Sequence, residues 1–292
     1  MKILNYTNEK TILLQGGIGN QIFQYVFGQY IKKKYGYKIC YHFIDTNSKK
    51  ADSRELEIDK IFDNIAIEKS IYLTIIQNLK LFKYALIKSN FLRRIFSTVI
   101  DDERNTLDPI SIISHKYFIG YWIDLFYYEN MNFTNDLYFK KNIISSDYSK
   151  IISEQIMQSK SSVSIHLRRG DYLNLSNLYY NLDIRYYTKS INFINNRVNS
   201  ENTFFVFSDD IKFAKTMFKD LNVIFVENAD NATEELFLMS RCDHNIIANS
   251  TFSLWGALLN QNKTKICISP DKWLKNKNFK TPIDSSFHLV KI

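Results

Sequence analysis

The stretch 163-VSIHLRRGDYL-173 opens as an apolar run from Val163 to Leu167 and ends in Arg168, Arg169, Gly170 and Asp171. A short apolar run bounded by a glycine turn reads as a buried strand, here with its charges gathered at the carboxyl end. Two adjacent guanidiniums at such a place call for an anionic ligand. Four runs of the same kind follow: 203-TFFVFSDD-210, 223-VIFVE-227, 245-NIIAN-249 and 265-KICISP-270. Helical patterns near 184–199, 211–219, 233–242 and 250–260 separate them. Strands alternating with helices predict a doubly wound α/β sheet, whose ligands bind beyond the carboxyl ends of the strands.

The first half of the chain repeats this logic. The strand 11-TILLQ-15 runs into 16-GGIGNQIFQYVFGQYIKKKYG-36, where apolar residues at helical spacing predict a helix over 20–34. Lys32, Lys33 and Lys34 suit its C-terminal dipole, Gly36 its cap, and 37-YKICYHF-43 a second strand. A polar, serine-rich stretch at 141–155 reads as the approach to a linker, which divides the chain into domains 1–155 and 156–292.

The 292 residues carry a formal charge of +8, spread over both halves. Without a basic stripe the charge does not suit nucleic acid; it suits a small anionic ligand or an anionic membrane surface. Residues 71–98 hold Lys80, Lys83, Lys88, Arg93 and Arg94, no acid, and apolar residues at helical spacing, so they predict basic amphipathic helices. No apolar run is long enough for a membrane span, the N-terminal sequence lacks a secretory-leader pattern, and the three cysteines have no pairing signature. A cytoplasmic protein with reduced cysteines is expected, with peripheral membrane contact as an option that 71–98 leaves open.

Three strand ends carry complementary polar groups: His166, Arg168, Arg169 and Asp171; then Ser208, Asp209 and Asp210; then Asn249, Ser250, Thr251 and Ser253. Guanidiniums grip diphosphate oxygens in pairs. Hydroxyls and N–H groups at a helix start bind phosphate. A carboxylate at Asp209 or Asp210 can accept from a guanine edge or ribose hydroxyls. Together these describe a nucleoside-diphosphate site. The phosphate-loop signature, a strand-end Asp-x-Asp and HExxH are all missing, so Arg168 and Arg169 are the groups placed to neutralise a departing diphosphate without a metal. In 15-QGGIGNQ-21 the third glycine of a dinucleotide fingerprint is replaced by Ile22. Gly16, Gly17 and Gly19 are read instead as a tight turn that approaches a ligand, with Asn20 and Gln21 aiming amides at it.

The segments GGIGNQIFQYVFG, YFIGYW, HLRRGDY, FVFSDD and NIIANSTFSLWGA, in this order over about residues 12–275, resemble bacterial α-1,2-fucosyltransferases of glycosyltransferase family 11. The family pattern often has tandem aromatics where this chain has Leu254-Trp255. The resemblance implies a GT-B architecture, two Rossmann-like domains facing across a cleft, the first on the acceptor side and the second binding the donor. It implies GDP-β-L-fucose as donor, the 2-hydroxyl of a galactose-containing glycan as acceptor, lipid-linked surface polysaccharide intermediates among the candidates, inversion at the anomeric carbon, and no metal. By motif, Arg168 holds the β-phosphate with His166 and Arg169 beside it, Ser250, Thr251 and Ser253 bind phosphate, Asp209 or Asp210 binds guanosine, and Asn20 reaches the donor phosphate or fucose. The catalytic base stays open among Asp171, His166 and Asp124. Tyr121 and Trp122 are either an acceptor platform or core. Acceptor contacts are expected on 172–183 and 44–70. Two other readings compete: a dinucleotide-dependent oxidoreductase or epimerase, resting on 15–21, and a non-catalytic membrane-surface or glycan-binding module, resting on 71–98 and 117–128.

Overall fold

The computed structural model describes residues 8–43, 55–63, 65–101, 106–131, 137–227, 229, 231–276 and 279–292. The chain forms two compact units, Met1–Lys140 and Lys141–Ile292.

The first unit is built on a parallel sheet of four strands: β1 (Glu9–Leu13), β2 (Lys38–His42), β3 (Thr98–Asp101) and β4 (Tyr117–Gly120), in the order β2-β1-β4-β3. Helix α1 (Ile18–Tyr35) joins β1 to β2, ending at Gly36 in the left-handed region (φ 75°), as its sequence foretells. It packs close to the sheet because residue 28 is glycine: a Cβ there would run into Tyr41 Oη and Ile12 Cδ1. A short helix, α2 (Ile58–Ile61), and the helices α3 (Ile71–Asn78), α4 (Lys80–Lys88) and α5 (Asn90–Ile95) lead to β3. Leu73, Ile76 and Leu86 of α3 and α4 are fully buried with Leu13, Ile100 and Ile119 of the sheet. Helices α6 (Pro109–Ser114) and α7 (Leu125–Glu129) flank β4.

The second unit begins with α8 (Asp147–Gln158), so the stretch read from sequence as a linker is in large part helix and belongs to this unit. Six parallel strands follow: β5 (Ser162–Leu167), β6 (Thr203–Ser208), β7 (Val223–Val226), β8 (His244–Ile246), β9 (Cys267–Pro270) and β10 (Phe287–Val290). Helices α9 (Ile184–Asn195), α10 (Ile211–Met217), α11 (Ala232–Arg241) and α12 (Thr251–Leu258) connect the first five. The order β10-β9-β8-β5-β6-β7 is the Rossmann order, with the topological switch between β5 and β8. Five of the strands are legible in the sequence. The sixth, β10, is four residues long and partly exposed, too short to show a period. Among the described residues no helix is long and apolar enough to cross a membrane, and Cys40, Cys242 and Cys267 are buried and free.

Glu234 ties α11 to α8. Its buried carboxylate accepts from the N–H (2.7 Å) and Oγ (2.8 Å) of Ser145, the N–H (3.1 Å) and Oγ (2.8 Å) of Ser146, and Oγ of Ser149 (2.6 Å). Burial alone would raise its pKa; the serine hydrogen bonds outweigh burial and pull it down to about 2. The ionised carboxylate therefore stabilises the fold above the ordinary carboxylate range, and the contribution fades as pH falls from about 4.5 toward 2. Glu234→Gln should cost about 3 kcal/mol in chemical denaturation at pH 7. The penalty should shrink below pH 4; a loss under about 0.5 kcal/mol at pH 7 would contradict this assignment.

Candidate active site

The three polar strand ends of the second unit converge, and the hydrogen bonds show how. Arg168, one residue past β5, donates from Nη2 to Asp171 Oδ1 (2.7 Å) and places Nη1 3.0 Å from Asp209 Oδ2. The backbone N–H of Arg169 donates to Asp209 Oδ1 (2.9 Å), so one carboxylate spans both residues. Arg169 Nη1 donates to Asp210 Oδ2 (2.8 Å), and its guanidinium lies 3.7 Å from the centre of the Phe213 ring. Asp210 also caps α10, accepting from Phe213 N–H (3.1 Å); this bond and Arg169 hold its carboxyl below the usual range. Gly170 makes room for the arrangement, because a Cβ there would stand 2.7 Å from Asp209 Oδ2.

The β8 end is wired to the same turn. Tyr172 lies in the 3-10 turn Asp171–Leu173 and donates its hydroxyl to the Asn249 carbonyl (3.0 Å) while stacking on Tyr179 at 4.0 Å. The Asn249 amide donates to the carbonyls of Tyr180 (2.8 Å) and Trp273 (3.1 Å). Ser250 caps α12 and accepts from Phe252 N–H (3.3 Å), and Thr251 opens the helix, partly exposed. Ser253 departs from expectation. It is buried, accepts from Ala248 N–H (3.2 Å) and donates to the Ser250 carbonyl (3.3 Å), so it braces the turn that carries Ser250 rather than facing a phosphate.

His166 sits within β5 at 3% exposure, 5.4 Å ring to ring from Phe252, and its Nδ1 has no hydrogen-bond partner. Burial, with the charge of Arg168 adding to it, pushes its pKa down to about 3. A neutral imidazole held so weakly basic is ill suited to remove a proton near pH 7. Both Asp209 oxygens and both Asp210 oxygens already serve arginine or backbone donors, so their first duty here is to hold the guanidiniums. One neighbour was not legible in the sequence. Glu235, partly buried in the first turn of α11, has its carboxyl pushed up to about 7 by burial and by the charge of Asp209.

In the first unit, Gly16 has φ 77°, and a Cβ on it would stand 2.7 Å from Asn20 Nδ2 and 3.3 Å from Tyr121 Cε1. The glycine thus lets Asn20 and Tyr121 close over the end of β1. Gly17 caps α1 with open space where a Cβ would stand, and Gly19 is buried in the first turn. Gln21, expected to aim at a ligand, is fully buried: it donates to the carbonyls of Gly16 (3.0 Å) and Glu55 (2.8 Å) and accepts from the N–H groups of Glu57 (2.9 Å) and Ile58 (3.1 Å). Trp122 is core, fully buried and stacked on Phe27 at 4.2 Å, and its backbone lies in the left-handed region at φ 53°. Asp124 caps α7 through Phe126 N–H (2.9 Å) and accepts from the Thr106 hydroxyl. Of the expected acceptor loops, 44–54 and 64 lie outside the described residues. Glu9, Cys40 and Glu68 bring three metal-ligand atoms within 4.8 Å of one another, but Lys38 Nζ already bridges the two carboxylates at 3.1 and 3.3 Å. A cavity of about 520 Å³ there opens at the amino ends of β1 and β4, the wrong end of a parallel sheet for a substrate site.

The family model for glycosyl transferase family 11 matches residues 10–288. The chain belongs to that family. This glycosyltransferase is 29% identical to the O-antigen biosynthesis glycosyltransferase WbnK of Escherichia coli, over 94% of its own length and 99% of the relative's. It is 31% identical to an alpha-1,2-colitosyltransferase of Escherichia coli, over 90% and 92%. In structure it is similar to the fucosyltransferase NodZ from Bradyrhizobium (TM-score 0.53, 11% identity, 86% and 92% covered) and to a family 9 glycosyl transferase from Veillonella parvula (TM-score 0.51, 12% identity, 99% and 88% covered). Its fold is the GT-B fold, α/β with two parallel-sheet units. Family membership sets aside both the oxidoreductase reading and the non-catalytic module.

Gly170→Ala should leave stability within about 1 kcal/mol. It should displace the Asp209 carboxylate and weaken binding of the nucleotide-sugar donor about tenfold, or about 1.4 kcal/mol, by calorimetry. Unchanged affinity would show that the glycine does not shape this site.

Proposed function

We propose that this glycosyltransferase moves L-fucose from GDP-β-L-fucose to the 2-hydroxyl of a galactoside, inverting the anomeric carbon and using no metal ion, in the assembly of a surface polysaccharide. The observation that carries the reading is the braced pair of guanidiniums at the switch point of a Rossmann-ordered sheet. The α-1,2 linkage and the glycan context draw support from the names of the two relatives. Colitose is fucose without its 3-hydroxyl, so the similarity to a colitosyltransferase makes GDP-colitose the one alternative donor to test.

The arrangement suggests how the reaction would run. Arg168 and Arg169 face three carboxylates, Asp171, Asp209 and Asp210. A diphosphate must therefore share or displace one of these partners. Asp171 is the most exposed, 42% against 24% and 31%, and it reaches Arg168 from only three residues away in sequence. We assign the exchange to it. The diphosphate takes the Arg168 N–H that Asp171 held, while Asp209 keeps the guanidinium in place. The N–H groups that start α12, with Ser250 and Thr251, complete the phosphate contacts. The acceptor oxygen attacks C1 of the sugar as the C1–O bond to phosphate breaks, and GDP leaves with the electron pair. The guanidiniums stabilise the growing charge. The released Asp171 accepts the proton of the acceptor hydroxyl.

Arg168→Ala should fold and lose about 10²–10³ in kcat/KM for GDP-fucose and lactose, while excess chelator should leave the native enzyme's rate unchanged. Asp171→Asn should lose about 10² in kcat and bind GDP as tightly as the native protein or more so. Weaker GDP binding by Asp171→Asn would refute the exchange, and loss of activity on chelation would refute the metal-free reading.

A further inference from the structure

A helix on the surface of a soluble protein buries one apolar stripe and shows water a polar one. Helix α9 does this: it buries Tyr186, Tyr187, Ile191 and Ile194 and exposes Arg185, Thr188, Lys189, Asn192 and Asn195. Helices α3, α4 and α5 of the first unit do not. Their inner stripe, with Leu73, Ile76 and Leu86, is spent on the sheet. Their outer stripe is apolar again. On α3 it is Ile71, Ile75 and then Leu79, exposed at 81%, 42% and 55% and spaced four residues apart. On α4 it is Leu81 and Tyr84, at 87% and 60%, and on α5 it is Phe91 and Ile95, at 72% and 58%. Leu81 and Ile71 are the two most exposed large apolar side chains among the described residues. Lys80, Lys88 and Arg94 are exposed among them, Lys83 and Arg93 partly so, and residues 71–98 contain no acid to balance them.

The geometry points to α3–α5 as a docking face for an anionic lipid surface. A row of exposed apolar side chains flanked by uncompensated cations is what an interfacial helix presents to a bilayer: the side chains enter the acyl boundary and the cations pair with phosphate headgroups. Charge decides the occupant. A second copy of the chain would bring the same five cations against these five, and an ordinary protein interface depletes lysine. None of the residues involved belongs to the strand-end site, so docking and chemistry are separable.

The test uses the full chain and two kinds of vesicle, pure phosphatidylcholine and phosphatidylcholine with phosphatidylglycerol. Binding should be at least about tenfold stronger to the anionic vesicles and should fall with salt. Each cation at such a surface multiplies binding about fivefold, so Lys80→Glu with Lys88→Glu should cut it about 25-fold or more. Leu81→Ser with Phe91→Ser should also reduce binding, and both pairs should keep the native melting temperature and the turnover of a soluble acceptor. Equal binding to both vesicle types, or binding untouched by either pair, would overturn the proposal. So would a dimer in sedimentation equilibrium that Leu81→Ser dissociates, since the face would then belong to a second copy.

Discussion

A side chain that is missing governs the site. With hydrogen alone on Gly170, the Asp209 carboxylate can lie against the turn after β5 and take two donors at once, the Arg169 N–H and the Arg168 guanidinium. Arginine carries a long, flexible stem, and left free it would spread its charge over many positions. Here a carboxylate from the next strand fixes it. The value of the arrangement is less in stability than in placement, because partly exposed ion pairs stabilise a fold by only about 1 kcal/mol or less. A cation already oriented costs nothing further to reorganise when charge develops beside it.

The same device recurs at the first β-to-α turn of the first unit. Gly16 adopts a left-handed backbone and leaves room for Asn20 and Tyr121 to close over the end of β1, while Gln21 spends all its hydrogen bonds holding the turn to residues 55–58. In both units a glycine at a strand end lets a polar side chain come within contact of the backbone. The Rossmann order of the second unit then explains why polar groups from β5, β6 and β8 meet: the switch between β5 and β8 opens the sheet beyond Leu167, and Tyr172 crosses that opening to the Asn249 carbonyl.

Much of this was legible in the residues. The apolar run into HLRRGDY gave away a buried strand with its charges at the carboxyl end, and the spacing of Ile22, Val26 and Ile31 gave away α1. What stayed hidden depends on contacts between residues distant in the chain. Ser253 and Gln21 have the composition of ligand-binding residues and are spent on backbone, a choice that only the packing makes. Trp122 reads as a possible sugar platform until Phe27 is seen to cover it. The serines at 145, 146 and 149 suggest a linker until Glu234, some 85 to 89 residues later, is found to accept from all three. Glu235 looks like one more helix-start acid, and its shift comes from burial and from the charge of Asp209 on another element.

In the proposed reaction, guanidinium charge stands where a divalent cation would otherwise serve a departing diphosphate. A crystal structure of the protein with GDP, grown with magnesium present, tests this most directly. Diphosphate oxygens should lie within hydrogen-bond reach of Arg168 and of the N–H groups that start α12, with Asp209 still on its two donors and Asp171 moved off Arg168. A diphosphate seated away from Arg168, or a metal ion bridging its two phosphoryl groups, would contradict it.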